Sequence, residues 1–176
     1  MHMSETRTIA APRDVVWAAI LDRAVLAASV PGCTAMEGDA ETGFQATVTQ
    51  KVGPVKATFK GQVTLEDQDP PSTVRLVGEG KGGAAGFAKG SAVVRLADAE
   101  DGATALSYEV DAKVGGKLAQ LGSRVIDGFA RRMADQFFDN LQAAVEAPPA
   151  EADAPEEIET QDGAPAKKGW FRRMLS

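Results

Sequence analysis

The feature that most restricts this fold is a change of period at Gly115-Gly116. Before it, from Thr34 to Val114, apolar or small residues occupy every second position and turn residues break the run, as antiparallel strands require. Val55, Ala57, Phe59, Gly61, Val63 and Leu65 alternate with Lys56, Thr58, Lys60, Gln62 and Thr64, so one face turns inward and the other meets water. The same parity runs through Phe44 to Val48, Val74 to Gly80, Ala88 to Leu96 and Leu106 to Val114. Turns fit at Val52-Gly53-Pro54, Asp69-Pro70-Pro71 and Glu100-Asp101-Gly102. After the two glycines the period is helical for about 30 residues, with Leu118, Leu121, Val125, Phe129, Met133, Phe137, Leu141 and Val145 on one face. Ile126, Ala130 and Phe138 widen that stripe. So apolar a helix face needs an equally apolar partner, and the inner face of the sheet is the surface available.

Upstream, Thr6-Arg7-Thr8-Ile9-Ala10 has β character, and Pro12 suits the first turn of a helix carrying Val16, Trp17, Ile20 and Leu21. A second short helix through Val25-Leu26 closes before Pro31-Gly32. The resulting class is α+β: strand, two short helices, antiparallel meander, long C-terminal helix.

The inward parity is unusually small. Gly78, Gly80, Gly86, Ala88, Gly90 and Ala92 stand where an ordinary core has Val, Ile or Leu. Two readings follow. One is a cavity between sheet and helix, walled by Phe44, Phe59, Leu76, Tyr108, Val125, Phe129 and Met133 and suited to an apolar ligand. The other is close helix approach or strand bulging at the glycines. Residues 78–83, GEGKGG, match the glycine spacing of a dinucleotide fingerprint, but the segment leads into a further strand instead of a helix N-terminus that could receive a pyrophosphate.

The means for catalysis are sparse. The chain has one histidine, His2, and one cysteine, Cys33, which leaves no disulfide framework, no His-dependent nucleophile and no evident metal site. Cys33 reads as a small hydrophobe entering a strand. Glu79, Glu109 and Asp111 fall on the outward parity, and Asp67, Asp69 and Asp101 in turns, as solvated charges. Arg124, Asp127, Arg131, Asp135 and Asp139 recur at helical spacing and read as an exposed ion-paired face. A net charge of −6 argues against nucleic acid as a partner. No secretory signal is evident and no run approaches the roughly 20 apolar residues that span a bilayer, so the cytoplasm is the expected compartment.

Charge divides the chain into three parts: a domain over residues 1–146, a linker over 147–166 with six acids and no base, and a tip over 167–176 with four bases and no acid. The Pro/Ala-rich acidic linker has the composition of a disordered spacer, with a reach of roughly 25 Å. In the tip, Trp170, Phe171, Met174 and Leu175 would gather on one side of a short amphipathic helix, flanked by Lys167, Lys168, Arg172 and Arg173. This is the pattern of an interfacial membrane anchor. A peptide docking in a groove of a partner protein is the rival reading.

Several separated blocks carry a family resemblance: Val30-Pro31-Gly32-Cys33, residues 51–61 (KVGPVKATFKG), residues 78–92, and residues 114–124 (VGGKLAQLGSR). Over about residues 3–146 the chain resembles the CoxG family of carbon monoxide dehydrogenase proteins, a branch of the START-like (SRPBCC) helix-grip superfamily. The resemblance implies a seven-stranded antiparallel sheet gripping the long helix around a cavity that in relatives takes lipids, sterols or other apolar molecules. It also implies association with a molybdenum hydroxylase of the carbon monoxide dehydrogenase type, as an accessory and membrane-recruitment factor. It brings no catalytic residues, and the molybdenum, iron–sulfur and flavin groups belong to the partner enzyme. The expectation is therefore a non-catalytic accessory with no cofactor of its own. It would attach peripherally to the inner face of the cell membrane and carry an apolar ligand, with a quinone as candidate. Its cavity would be lined by Phe44, Phe59, Leu76, Gly78, Gly80, Ala88, Gly90, Ala92, Tyr108, Val125, Phe129 and Met133. The alternatives are a START-like enzyme acting on a hydrophobic substrate and a pure adaptor without ligand.

Overall fold

The computed structural model describes residues 1–146. The linker and tip expected over 147–166 and 167–176 lie outside the described residues. Seven antiparallel strands form one sheet: β1 (His2–Ile9), β2 (Cys33–Asp39), β3 (Gly43–Val52), β4 (Val55–Asp69), β5 (Thr73–Lys81), β6 (Phe87–Asp98) and β7 (Thr104–Gly115). Their order is β1-β7-β6-β5-β4-β3-β2, so β2 to β7 are a simple meander and β1 closes onto the far edge beside β7. The helices are α1 (Arg13–Ile20), α2 (Arg23–Ser29) and α3 (Ser123–Glu146). Asp22 caps α2 by accepting from the Val25 amide. All three turns expected within the meander join the strands as anticipated.

The helical run after Gly115 is not one helix. Residues 116–121 wind as a 3-10 segment, and α3 begins at Ser123. Gly122 lies between them at φ +89°, a conformation open to glycine and foreign to an α-helix. Leu118 and Leu121 therefore belong to a separate turn.

The inner face is graded in side-chain size. One end holds the core, where Ile9, Val16, Trp17, Val74, Val94, Leu96, Leu106, Tyr108, Phe138 and Leu141 are buried together. From there the inward side chains shrink along each central strand: Val74, Leu76, Gly78, Gly80 on β5, and Leu96, Val94, Ala92, Gly90, Ala88 on β6. The C-terminal half of α3 packs on the large residues through Phe138 and Leu141, the two buried side chains of that helix. Its N-terminal half spans the small ones. Since close-packed interiors leave few voids, a row of glycine and alanine beneath a helix leaves space unless the helix descends to fill it. This one is held up by the core at its other end.

Candidate apolar cavity

That space is a cavity of about 540 Å³, within the range of small-molecule sites. Its floor is Leu76, Gly80, Ala88, Ala92, Val110, Ala112 and Val114; its roof is Ile126, Phe129, Ala130, Met133, Ala134 and Phe137 of α3; Ile20, Leu26, Val30 and Pro31 close one side. A second lobe of about 520 Å³ continues over β2 to β5, where Met36, Phe44, Ala46, Gly61, Val63, Gly78 and Gly90 join the lining. Of the residues expected to wall a cavity, Phe59, Leu76, Gly80, Ala88, Ala92, Tyr108, Phe129 and Met133 line the first lobe, whereas Phe44, Gly78 and Gly90 line only the second.

Val125 lines neither lobe. It is 37% exposed and points at the β3–β4 tip, where a Cβ on Gly53 would lie 3.6 Å from it. The inward stripe is Ile126, Phe129, Ala130 and Met133, one residue further on, and one residue is about 100° of helix. Gly86, read as inward, sits in the β5–β6 loop at φ +113°, against the Gly115 carbonyl. Both readings of the small residues apply, at different glycines. A Cβ on Gly80 would meet nothing nearer than 3.9 Å, so that glycine leaves room, whereas a Cβ on Gly90 would fall 2.1 Å from the Asp111 carbonyl, so that glycine permits strand approach.

Residues missed from the sequence include Met1 and Met3, because β1 starts four residues earlier than its β-forming run suggests, and Gln50. Gln50 and Tyr108 are the two polar side chains in the first lobe's lining. Gln50 is oriented by donating through Nε2 to the Pro31 carbonyl at 2.7 Å. Tyr108 stacks on Phe138 with centroids 4.8 Å apart and donates to Glu5 at 3.0 Å. Burial first, then the bond to Glu5, pushes the Tyr108 phenol up to about 12. Tyr108 is the sole tyrosine of the chain, so ultraviolet difference titration reads it alone. The expected midpoint is near 12 in the folded protein and near 10 once unfolded. The sign follows: the neutral phenol's contribution to stability is intact below pH 10 and is lost as pH rises toward 12. A folded-state midpoint near 10 would show the phenol to be solvated.

Arg7, inward on the edge strand, ties the anchored half of α3 to the sheet. It donates to Asp135 at 3.0 Å and to Asp139 and Gln142 at 3.1 Å, and lies 5.4 Å over the Phe138 ring. Partial burial works against its charge, but the bonds to Asp139 and Asp135 outweigh it and hold the guanidinium above its ordinary range. Asp135 and Asp139 thus pair across to β1 and not with Arg124 or Arg131 along the helix, as the spacing had suggested. With both carboxylates more than half exposed, each pair contributes under about 1 kcal/mol. Glu79 and Glu109, the acids an inward catalytic set would have used, point outward toward Lys81 and Arg95 at 3.8 and 3.9 Å. Among the described residues no cluster of His, Cys, Asp and Glu could hold a metal, and no helix is long and apolar enough to cross a membrane.

The architecture recurs in solved structures. A conserved protein from Geobacillus kaustophilus superposes with a TM-score of 0.78 at 27% identity, over 83% of this chain and 95% of that one. A START superfamily protein from Mycobacterium smegmatis gives 0.60 at 13% identity over 82% and 97%, and a protein from Chromobacterium violaceum gives 0.62 at 19% over 84% and 98%. The last two show the fold alone, which is START-like. No curated relative matches the chain. The model of the carbon monoxide dehydrogenase family CoxG matches residues 6–146, the whole strand, meander and long-helix unit. The chain belongs to the CoxG family of carbon monoxide dehydrogenase proteins.

Proposed function

We propose that this protein is a non-catalytic accessory of a carbon monoxide dehydrogenase-type molybdenum hydroxylase. It binds an apolar molecule, with a quinone as the leading candidate, and exchanges it between the cytoplasmic membrane and that enzyme. The observation that carries this reading is the cavity: about 540 Å³, roofed by one helix, with Gln50 and Tyr108 as its polar side chains. Such walls favour burial of an apolar surface at about 25 cal/mol per Å² and offer little to a charged substrate. An open volume of this size disfavours a pure adaptor, whose interior its own side chains would fill. The outward Glu79 and Glu109 disfavour the enzyme.

Membrane recruitment rests on the sequence of the tip. Lys167, Lys168, Arg172 and Arg173 supply roughly 4 kcal/mol toward an anionic surface, at about 1 kcal/mol each, and the flanking Trp170, Phe171, Met174 and Leu175 add to it. The test has two arms. Organic extraction of purified protein followed by mass spectrometry is expected to yield a quinone or other apolar lipid in near-stoichiometric amount; a cavity empty of organic molecules refutes the carrier. Deletion of residues 167–176 is expected to abolish sedimentation with anionic vesicles at physiological salt; unchanged sedimentation refutes the tip as anchor.

A further inference from the structure

A meander places successive connections at alternate ends of its sheet, so those between β2 and α3 fall into two sets. The β2–β3, β4–β5 and β6–β7 turns share one end with Asp39, Glu41, Asp67, Asp69, Glu100 and Asp101, and residues 39–43, 67–72 and 98–103 contain no Lys or Arg. The β3–β4 turn, the β5–β6 loop and the passage from β7 into α3 share the other. Here Lys51, Lys56, Lys81, Lys113, Lys117 and Arg124 are all exposed, and residues 51–56, 81–87 and 112–126 contain no Asp or Glu. Lys81 has Glu79 at 3.8 Å; among the described residues the other five form no ion pair within 4 Å. The bordering acids are Asp127, which is exposed, and Asp111, which bonds His2 at 2.9 Å.

Two further observations fall at this basic end. Phe87 and Val125, 38% and 37% exposed, are among the large apolar side chains that remain in solvent. The cavity also reaches it, since Val52, Leu118, Ile126 and Phe129 are part of its wall. Unpaired basic residues around exposed apolar ones are the chemistry of an anionic lipid interface, and the acidic opposite end fixes the orientation by repulsion.

We propose that the folded domain docks this end directly on an anionic bilayer, Phe87 and Val125 at the headgroup boundary, so that the cavity wall faces the lipid. This extends the membrane contact from the tip to the domain and rests on the carrier reading for its purpose, not for its test. In the full chain, hydrogen exchange with vesicles of phosphatidylcholine containing phosphatidylglycerol is expected to protect amides in residues 52–55, 82–87 and 116–126. Pure phosphatidylcholine vesicles should not. In K51Q/K56Q/K117Q/R124Q, the lipid concentration giving half-maximal protection should rise at least tenfold, whereas K60Q/K89Q, on the outer face of the sheet, should leave it unchanged. Exchange in these segments indifferent to anionic vesicles while residues 167–176 are protected would overturn the proposal. So would protection by an acidic protein partner but not by vesicles. The comparison of two lipid compositions on the unmodified chain does not depend on any variant folding. The readout needs no cargo, so an empty cavity and a failed docking face are separate results.

Discussion

Ala92→Phe should reduce bound apolar ligand at least tenfold while leaving the thermal midpoint unchanged or raised. Ala92 lies on the inner face of β6, between Leu76 of β5 and Val110 of β7, and lines both lobes. In an ordinary core, a ring in place of a methyl group costs about 1–3 kcal/mol through displaced neighbours. Here the ring enters space that no side chain occupies and adds contacts with Met133 or Phe129 across it. Ligand content by extraction and the midpoint by calorimetry separate the cases. Loss of ligand with retained stability supports a binding cavity; a fall of several degrees with ligand retained would mean that α3 lies lower and the space is not there.

Two truncations on one helix should differ severalfold. Leu141→Ala removes a fully buried side chain from the cluster with Ile9, Val16, Trp17 and Leu106, and should cost about 3 kcal/mol, measured as the shift in denaturant midpoint at constant slope. Ile126→Ala, about four turns earlier on the same inward stripe, should cost under about 1 kcal/mol, because its side chain faces the cavity and leaves no new void against packed atoms. Equal costs would contradict a helix anchored at one half and roofing a cavity with the other.

The meander was legible because its evidence is local. Alternation from Phe44 to Val114 and three turn clusters specify hairpins without reference to distant residues, and the change of period at Gly115 specifies the helix that covers them. Where the reading went astray, the deciding contact was remote or fell within one residue. Asp135 and Asp139 sit at helical spacing from Arg131, yet their cation is Arg7, more than a hundred residues away on a strand whose start the sequence barely marks. Val125 and Ile126 both fit a helical stripe, and only the docking of α3 on the core fixes which faces inward. Gly80 and Gly90 look alike in a strand of small residues. Whether a missing Cβ makes room or avoids a carbonyl depends on the neighbouring strand's position to within an ångström.

The graded inner face has a consequence for the folding equilibrium. A domain that completes its large-residue end and leaves the small-residue end open has part of its core still to be supplied. Any molecule that occupies the space and ignores the unfolded chain adds stability according to its concentration, about 2.7 kcal/mol at a hundredfold excess over its dissociation constant. The unfolding midpoint then gauges occupancy. Where transiently unfolded chains are degraded, filled copies outlast empty ones, and the cell's pool of the protein follows the supply of what it carries.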